Sequence, residues 1–413
     1  MSEGRLAALR SRDFRLLFFG QIVSLTGSQM QTVAVPYQIY KLTGSSLALG
    51  FIGLCRVVPV VLFALGGGVI ADALDRRRLM FLSQSLMALC SLTLAWTTRT
   101  GHITPAVMYG VIAVGGAALS LDSPARQSLI PLLVPRAHLG NAIGLHAMAW
   151  EIAAIAGPSL AGLVIAWRGV FWVYLLDAVS FAAVIGALLA MHHRAPPRTS
   201  ANISIQAAID GLRFLARTPL ILSTMVLDAV ATFFAGSLLL LPLYADRILG
   251  VGPRGLGLLY AAQPAGAAIA AALLATRATI HRQGAVVLWS IAVYGASVAA
   301  FGVSSWLPLS LVLLAISGAA DTVSMVVRQT LRQLLTPDEL RGRMTSVNMI
   351  FFIGGPQLGE FEAGVVARAV GPRFSVSSGG LACVVAAIVT ALAVPSLRKL
   401  TSKDYGMDSG ARS

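Results

Sequence analysis

Apolar runs of about 20 residues, separated by short polar breaks, recur from one end of this chain to the other. Wound as an α-helix at ~1.5 Å per residue, such a run matches the roughly 30 Å hydrocarbon core of a bilayer. Within lipid every backbone N–H and C=O must be bonded internally, so only helices and closed barrels can span. A barrel would show ten-residue segments of alternating polarity, and none is present. Twelve runs read as helical spans, at 15–39, 45–70, 79–98, 104–125, 140–166, 170–190, 219–244, 254–275, 284–303, 308–328, 344–367 and 374–394. Composition agrees. The chain is 56% hydrophobic and 12% charged, against about 25% charged in a soluble domain. Lipid is its solvent, and the lipid bilayer its first partner.

The spans fall into two related sets. Arg126 to Pro135 reads RQSLIPLLVP, and Arg328 to Pro337 reads RQTLRQLLTP, at an offset of 202 residues. The same offset matches Gly157 to Gly359 and Gly162 to Gly364. A constant offset of half a chain means a duplicated half. Two like-oriented halves related by an axis along the membrane normal form a transporter architecture. The expected organisation is a six-helix lobe over 1–190, a linker over 191–218, a second six-helix lobe over 219–400 and a disordered tail over 401–413. In the linker, Ile205, Ile209, Leu212 and Phe214 alongside Arg213 and Arg217 predict a short amphipathic helix on the membrane surface.

Charge sets the expected orientation. The net charge is +14, and the basic residues sit in the breaks between spans. With the N-terminus in the cytoplasm, 23 of the 31 Lys and Arg lie on the cytoplasmic side, 7 lie outside and Arg56 is left within a span. The positive-inside rule then places both termini in the cytoplasm, in a multi-pass protein of the bacterial inner membrane. The first apolar run is too long for a signal-peptide core and lacks a small-residue cleavage site. No basic stripe with interleaved aromatics suggests nucleic acid. Cys55, Cys90 and Cys383 are isolated in apolar segments and read as small buried hydrophobes.

After the second span the chain reads Gly68-Val-Ile-Ala-Asp72-Ala73-Leu-Asp75-Arg76-Arg77-Arg78, here expected to form a loop. A glycine permits close helix packing, and an acid before a basic cluster can form a charged latch at the cytoplasmic face. This segment resembles the signature loop of the major facilitator superfamily, with Ala73 where Arg is usual and Asp75 where Gly is usual. Val35-Pro36 with Gln38-Ile39, an expected turn over Asp122-Ser-Pro-Ala-Arg126-Gln127, Gly211-Leu-Arg-Phe-Leu and Asp228-Ala-Val-Ala-Thr-Phe-Phe with Leu241-Pro242 are similar to the bacterial siderophore (enterobactin) exporter-like branch, which also holds drug and macrolide efflux proteins. Gly157-Pro158 with Gly162 resembles the antiporter motif of the superfamily's exporters. The resemblance implies an all-α membrane protein with the major facilitator fold, twelve helices in two six-helix lobes, exporting a small molecule by alternating access. On the residues themselves, the two glycines permit tight helix contact and Pro158 bends the span, giving a pivot or simple packing.

Charges within spans are the sharpest functional signal, because each costs free energy in lipid. Arg56 lies 12 residues before Gly68, about 18 Å along the helix. Glu151, Asp228 and Glu360 lie within the fifth, seventh and eleventh spans, and are the expected substrate or coupling residues together with Arg56. Each has the alternative of a structural ion pair, Arg56 with Glu151 among them. Glu362 stands two residues from Glu360 and cannot share its face. Asp122 and Arg126, spaced i,i+4, are expected to pair at the cytoplasmic end of the fourth span. Asp321 and Arg328 occupy the related end of the tenth, and the repeated Arg-Gln suggests a gate contact. Asp177 reads as a hydrogen-bond partner, and the tryptophans as interfacial or packing residues.

The six histidines fall in or near loops or stand alone, and no H-E-x-x-H occurs, so neither a metal nor a catalytic role is expected. Gly250-Val-Gly252-Pro-Arg-Gly255 follows a span rather than a strand and is no dinucleotide site, and no P-loop is present. The chain therefore reads as a non-enzymatic secondary transporter without cofactor, expected to be a monomer, with a multidrug or macrolide efflux pump and a non-transporting membrane receptor as the alternatives. Its partners are a small-molecule substrate, siderophore-like or amphipathic, and protons as the coupling ion.

Overall fold

The computed structural model describes residues 6–73, 75–192, 215, 218–276, 280–336 and 341–401, and their side chains except at 60–73, 219, 235, 237 and 341–353. The long helices are α1 (Arg12–Thr43), α2 (Ser46–Ala73), α3 (Arg76–Thr100), α4 (Pro105–Leu133), α5 (Leu139–Arg168), α6 (Val170–Ala190), α7 (Pro219–Ala235), α8 (Gly252–Ala275), α9 (Gln283–Val303), α10 (Leu307–Leu335), α11 (Arg341–Val370) and α12 (Pro372–Ala393). The short α13 (Pro395–Lys399) follows. No strand occurs among the described residues. Nine helices among the described residues are long and apolar enough to cross a membrane, against the twelve spans expected. The predicted linker helix and the tail lie outside the described residues.

Local chemistry fixes the helix ends. Thr104 caps α4 by accepting from the Val107 N–H at 3.3 Å, with Pro105 in the first turn. Gly169 reverses the chain between α5 and α6 at φ +90°, a conformation that a side chain would strain. Two expected boundaries are corrected. The segment Gly68–Ala73, expected as a loop, is the last part of α2. Asp75 then caps α3, its carboxylate accepting from the Arg77 N–H at 2.8 Å. The expected turn over Asp122–Gln127 is helical and interior to α4, with Pro124 and Pro131 inside the helix. Bundled neighbours re-satisfy the backbone groups that a proline frees, so proline does not end a membrane helix as it ends a soluble one.

The chain divides into two compact units, Met1–Asn202 with Val251–Ala261 and Ile203–Gly250 with Ala262–Ser413. In the first, α1 packs on α5 and α6, α3 on α4 and α6, and α2 on α4. In the second, α7 packs on α11 and α12, and α9 on α10 and α12. The duplicated sequence thus returns as duplicated packing. At one end of the first unit Phe14, Leu17, Met80, Leu129 and Val184 form an apolar cluster. Outward faces are apolar as well. Leu82, Leu86 and Leu89 of α3 are exposed at helical spacing, as are Val385, Ile388, Val389 and Leu392 of α12. A water-soluble protein does not present stripes of this kind, whereas lipid requires them. Cys90 and Cys383 are buried as expected, but Cys55 is only half-buried.

Small residues set the closest crossings. A Cβ on Gly236 would overlap the backbone of Gly359 and Glu360, and one on Gly359 would overlap the Phe233 carbonyl. The α7–α11 contact is therefore backbone on backbone, the close approach by which membrane helices gain dispersion energy. Beyond Gly236 the chain runs through a 3₁₀ turn at Gly236–Leu240 and a π turn at Tyr244–Ile248. Gly359→Leu is expected to separate the two helices. It should cost at least ~1–3 kcal/mol, the usual penalty of overpacking, and lower the unfolding midpoint of the detergent-solubilised protein. An unchanged midpoint would mean that the crossing is not close-packed.

Candidate functional site

In the first unit the charged residues of α4 are held by neutral partners from α1 and α3. Gln21 stands nine residues after the first residue of α1, and Arg126 seven residues before the last residue of α4. Arg126 Nη1 donates to Gln21 Oε1 at 2.9 Å, and Arg126 Nη2 lies 3.8 Å from Asp122 Oδ2. Asp122 is 1% exposed, and its other oxygen accepts from Ser83 Oγ at 3.1 Å and Gln84 Nε2 at 3.0 Å. The expected i,i+4 pair is present, though at 3.8 Å it is the longest of these contacts. The hydrogen bonds to α1 and α3 join three helices through one carboxylate and one guanidinium. Asp122→Asn keeps an acceptor for Ser83 and Gln84 but loses the charge facing Arg126. A loss of about 1–2 kcal/mol is expected, as for a weakened charge-assisted contact, and thermal unfolding in detergent measures it. No loss would show that the neutral hydrogen bonds alone hold the junction.

Of the expected gate motif, Gly68 and Asp72 lie outside the described side chains. Arg76 Nη1 donates to the Ser128 carbonyl of α4 at 3.0 Å, and Arg77 Nη2 to the Leu189 carbonyl of α6 at 3.2 Å. Leu189 lies in the last turn of α6, where a cation complements the partial negative charge, and Ser128 lies five residues before the end of α4. With Asp75 as cap, this short segment ties the start of α3 to the ends of α4 and α6.

The second unit repeats the geometry with a charge added. Arg328 stands seven residues before the last residue of α10, and Asp228 nine residues after the first residue of α7. Arg328 Nη2 pairs with Asp228 Oδ1 at 2.7 Å and lies 4.0 Å from Asp321 Oδ1. The Arg328 side chain is 8% exposed and that of Asp228 24%. Each unit therefore directs an arginine of its fourth helix at a polar group on its first helix. That group is Gln21 in one unit and Asp228 in the other. Gln21 and the Asp228–Arg328 pairing were missed in the sequence. The equal positions emerge only when counted from the helix ends found in the structure, because the spans expected at 15–39 and 104–125 begin and end elsewhere.

The other expected residues are separate. Glu151 of α5 is half-buried and makes no hydrogen bond or ion pair with a described residue, so the alternative pairing with Arg56 is not formed. The Arg56 backbone lies where α2 crosses α4, 3.5 Å from the place of a Cβ on Gly116. Glu360 follows Gly359 at the α7–α11 crossing. Gly157 lets α5 meet α1, where a Cβ would fall 2.9 Å from the Thr26 carbonyl oxygen. Gly162 faces Gly257, with the Pro158 carbonyl oxygen 2.6 Å from the place of a Gly257 Cβ. Asp177 is wholly buried and accepts from Ser91 Oγ at 2.6 Å and Ser28 Oγ at 3.5 Å, the hydrogen-bond role expected of it.

A family model described as transmembrane secretion effector matches residues 3–408. The enterobactin exporter EntS of Shigella boydii is 26% identical over 386 residues, covering 94% of this chain and 92% of that protein. EntS of Escherichia coli O1:K1 matches to the same extent. A bacterial homologue of the human lysosomal transporter Spinster superposes with a TM-score of 0.68 at 13% identity, covering 98% of this chain and 99% of that one. A bacterial homologue of the iron transporter ferroportin gives 0.69 at 18% identity, covering 92% and 98%. These structures share the fold expected of the sequence, and the relatives are transporters rather than enzymes.

Proposed function

This chain belongs to the transmembrane secretion effector family of the major facilitator superfamily, and from that membership we propose that it is a proton-driven exporter of a siderophore-like or amphipathic organic molecule. It is a multi-pass membrane transporter of small molecules. The observation that carries the exporter reading is the similarity to EntS along nearly the whole of both chains. The proposed seat is the inner membrane, with both termini in the cytoplasm, supported by the 23 to 7 division of Lys and Arg. Transport proceeds by alternating access in a monomer.

Two features support coupling to protons. Asp228 offers a carboxylate paired with a buried guanidinium at 2.7 Å, where competition for that carboxylate would release Arg328 and change what α7 and α10 share. Glu151 stands in a span with no cation beside it among the described residues, a carboxyl available to exchange a proton for a substrate. Glu151 also supports a second reading, efflux of cationic drugs, because an acid without a resident cation suits a positively charged guest.

Uptake into inverted vesicles, energised inside-acid and offered labelled siderophores and cationic drugs with and without a protonophore, separates the readings. Protonophore-sensitive accumulation of a catecholate siderophore is expected. Accumulation of cationic drugs alone would favour the second reading, and accumulation insensitive to the protonophore would remove the proton.

A further inference from the structure

We propose that the first unit carries a binding site for the headgroup of an anionic phospholipid, at the rim where α3 and α5 end and α6 begins. A cavity of about 370 Å³ opens there, lined by Thr98, Arg99, Arg168, Phe171 and Trp172. Two guanidiniums face it and no carboxylate does. Neither arginine has an ion-pair partner among the described residues, and Arg168 lies over the Trp167 ring at 4.5 Å. Phe171 and Trp172 belong to the first turn of α6, which has no side-chain cap and no acid. The amide N–H groups of that turn lack acceptors within the helix and add positive potential at the cavity wall.

The floor is rigid. Gln38 Nε2 donates to Thr98 Oγ1 at 3.1 Å, and Tyr174 Oη donates to Gln38 Oε1 at 2.8 Å, so the half-buried Thr98 is tied to two residues buried between α1, α3 and α6. The exposed tryptophans of this rim suit the depth of lipid headgroups. Trp96 and Trp167 at this rim are 71% and 76% exposed, as in the aromatic belt of a membrane protein. Below the cavity, Leu176 and Val179 continue the face of Trp172, and Leu92 continues that of Arg99, all of them exposed. A phosphodiester held by the arginines would lay its acyl chains along these apolar faces. A free phosphate makes no use of them, which favours the lipid.

Native mass spectrometry of the purified full chain, offered equal amounts of phosphatidylglycerol and phosphatidylcholine, tests the site. About tenfold preferential retention of phosphatidylglycerol is expected, ~1.4 kcal/mol of discrimination. In Arg99→Gln/Arg168→Gln that preference should fall to parity, and Arg168→Gln alone serves if the double variant does not fold. Equal retention of the two lipids by the unmodified chain would overturn the proposal, as would a preference untouched by the substitutions. A thermal shift with inorganic phosphate equal to that with phosphatidylglycerol would assign the cavity to free anions and also overturn it.

Discussion

Asp228→Ala is expected to destabilise the protein by about 3 kcal/mol and to abolish transport. The substitution leaves the Arg328 guanidinium buried with, among the described residues, only Asp321, 4.0 Å away, as counter-charge. Breaking a buried ion pair by removing one partner costs ~3–5 kcal/mol, and the partial exposure of Asp228 places this case at the low end. Removing both charges, as in Asp228→Ala/Arg328→Leu, should restore much of the stability, because no unpaired charge remains. Transport should not return with it. Unfolding midpoints for the two variants, read beside vesicle uptake, separate the structural from the functional role. A single variant as stable as the unmodified chain would show that the pair contributes nothing to the fold. Recovery of transport in the double variant would remove both residues from the coupling step.

Glu151→Gln should have the opposite signature. Glu151 holds no partner among the described residues, so its neutralisation should leave the unfolding midpoint within a few degrees, as expected for a change of under ~1 kcal/mol away from packed or paired groups. Proton-driven uptake should nevertheless fall at least about tenfold, a barrier or affinity change of ~1.4 kcal/mol. Substrate exchange at zero proton gradient should persist, because the carboxyl is proposed to serve coupling rather than passage. Full protonophore-sensitive uptake in Glu151→Gln would exclude it from coupling. Loss of exchange together with uptake would make it a substrate contact instead. Asp228 and Glu151 thus differ in a way their positions in the sequence did not reveal, one paired to a guanidinium and the other not.

How far the sequence reached follows from the range of the forces involved. Lipid as solvent acts on every residue of a span, so apolar run length fixed the all-helical class without any tertiary information. The repeat from Arg126 and from Arg328 carried the duplication, because like sequences in like surroundings pack alike. Residues 68–73 and 122–127 were misread as non-helical because glycine, proline and charge mark loops in water. In a bundle they are satisfied by neighbouring helices. Asp75 read as a gate residue, and its capping bond to Arg77 depends on where α3 begins.

Which polar and charged groups meet between helices was a matter for tertiary structure alone, unlike the Asp122–Arg126 pair within α4, which its i,i+4 spacing predicted. Asp228 and Arg328 stand 100 residues apart, and Gln21 and Arg126 are 105 apart, in helices whose rotation about their own axes decides every contact. Those rotations are set by the crossings at Gly157, Gly236 and Gly359, where the missing Cβ lets one backbone rest on another. The sequence by itself determined the solvent, the helical class, the duplication and the inventory of buried charges. The tertiary structure decided which of them are neutralised, because pairing in a low dielectric depends on ångströms of approach that only packing supplies.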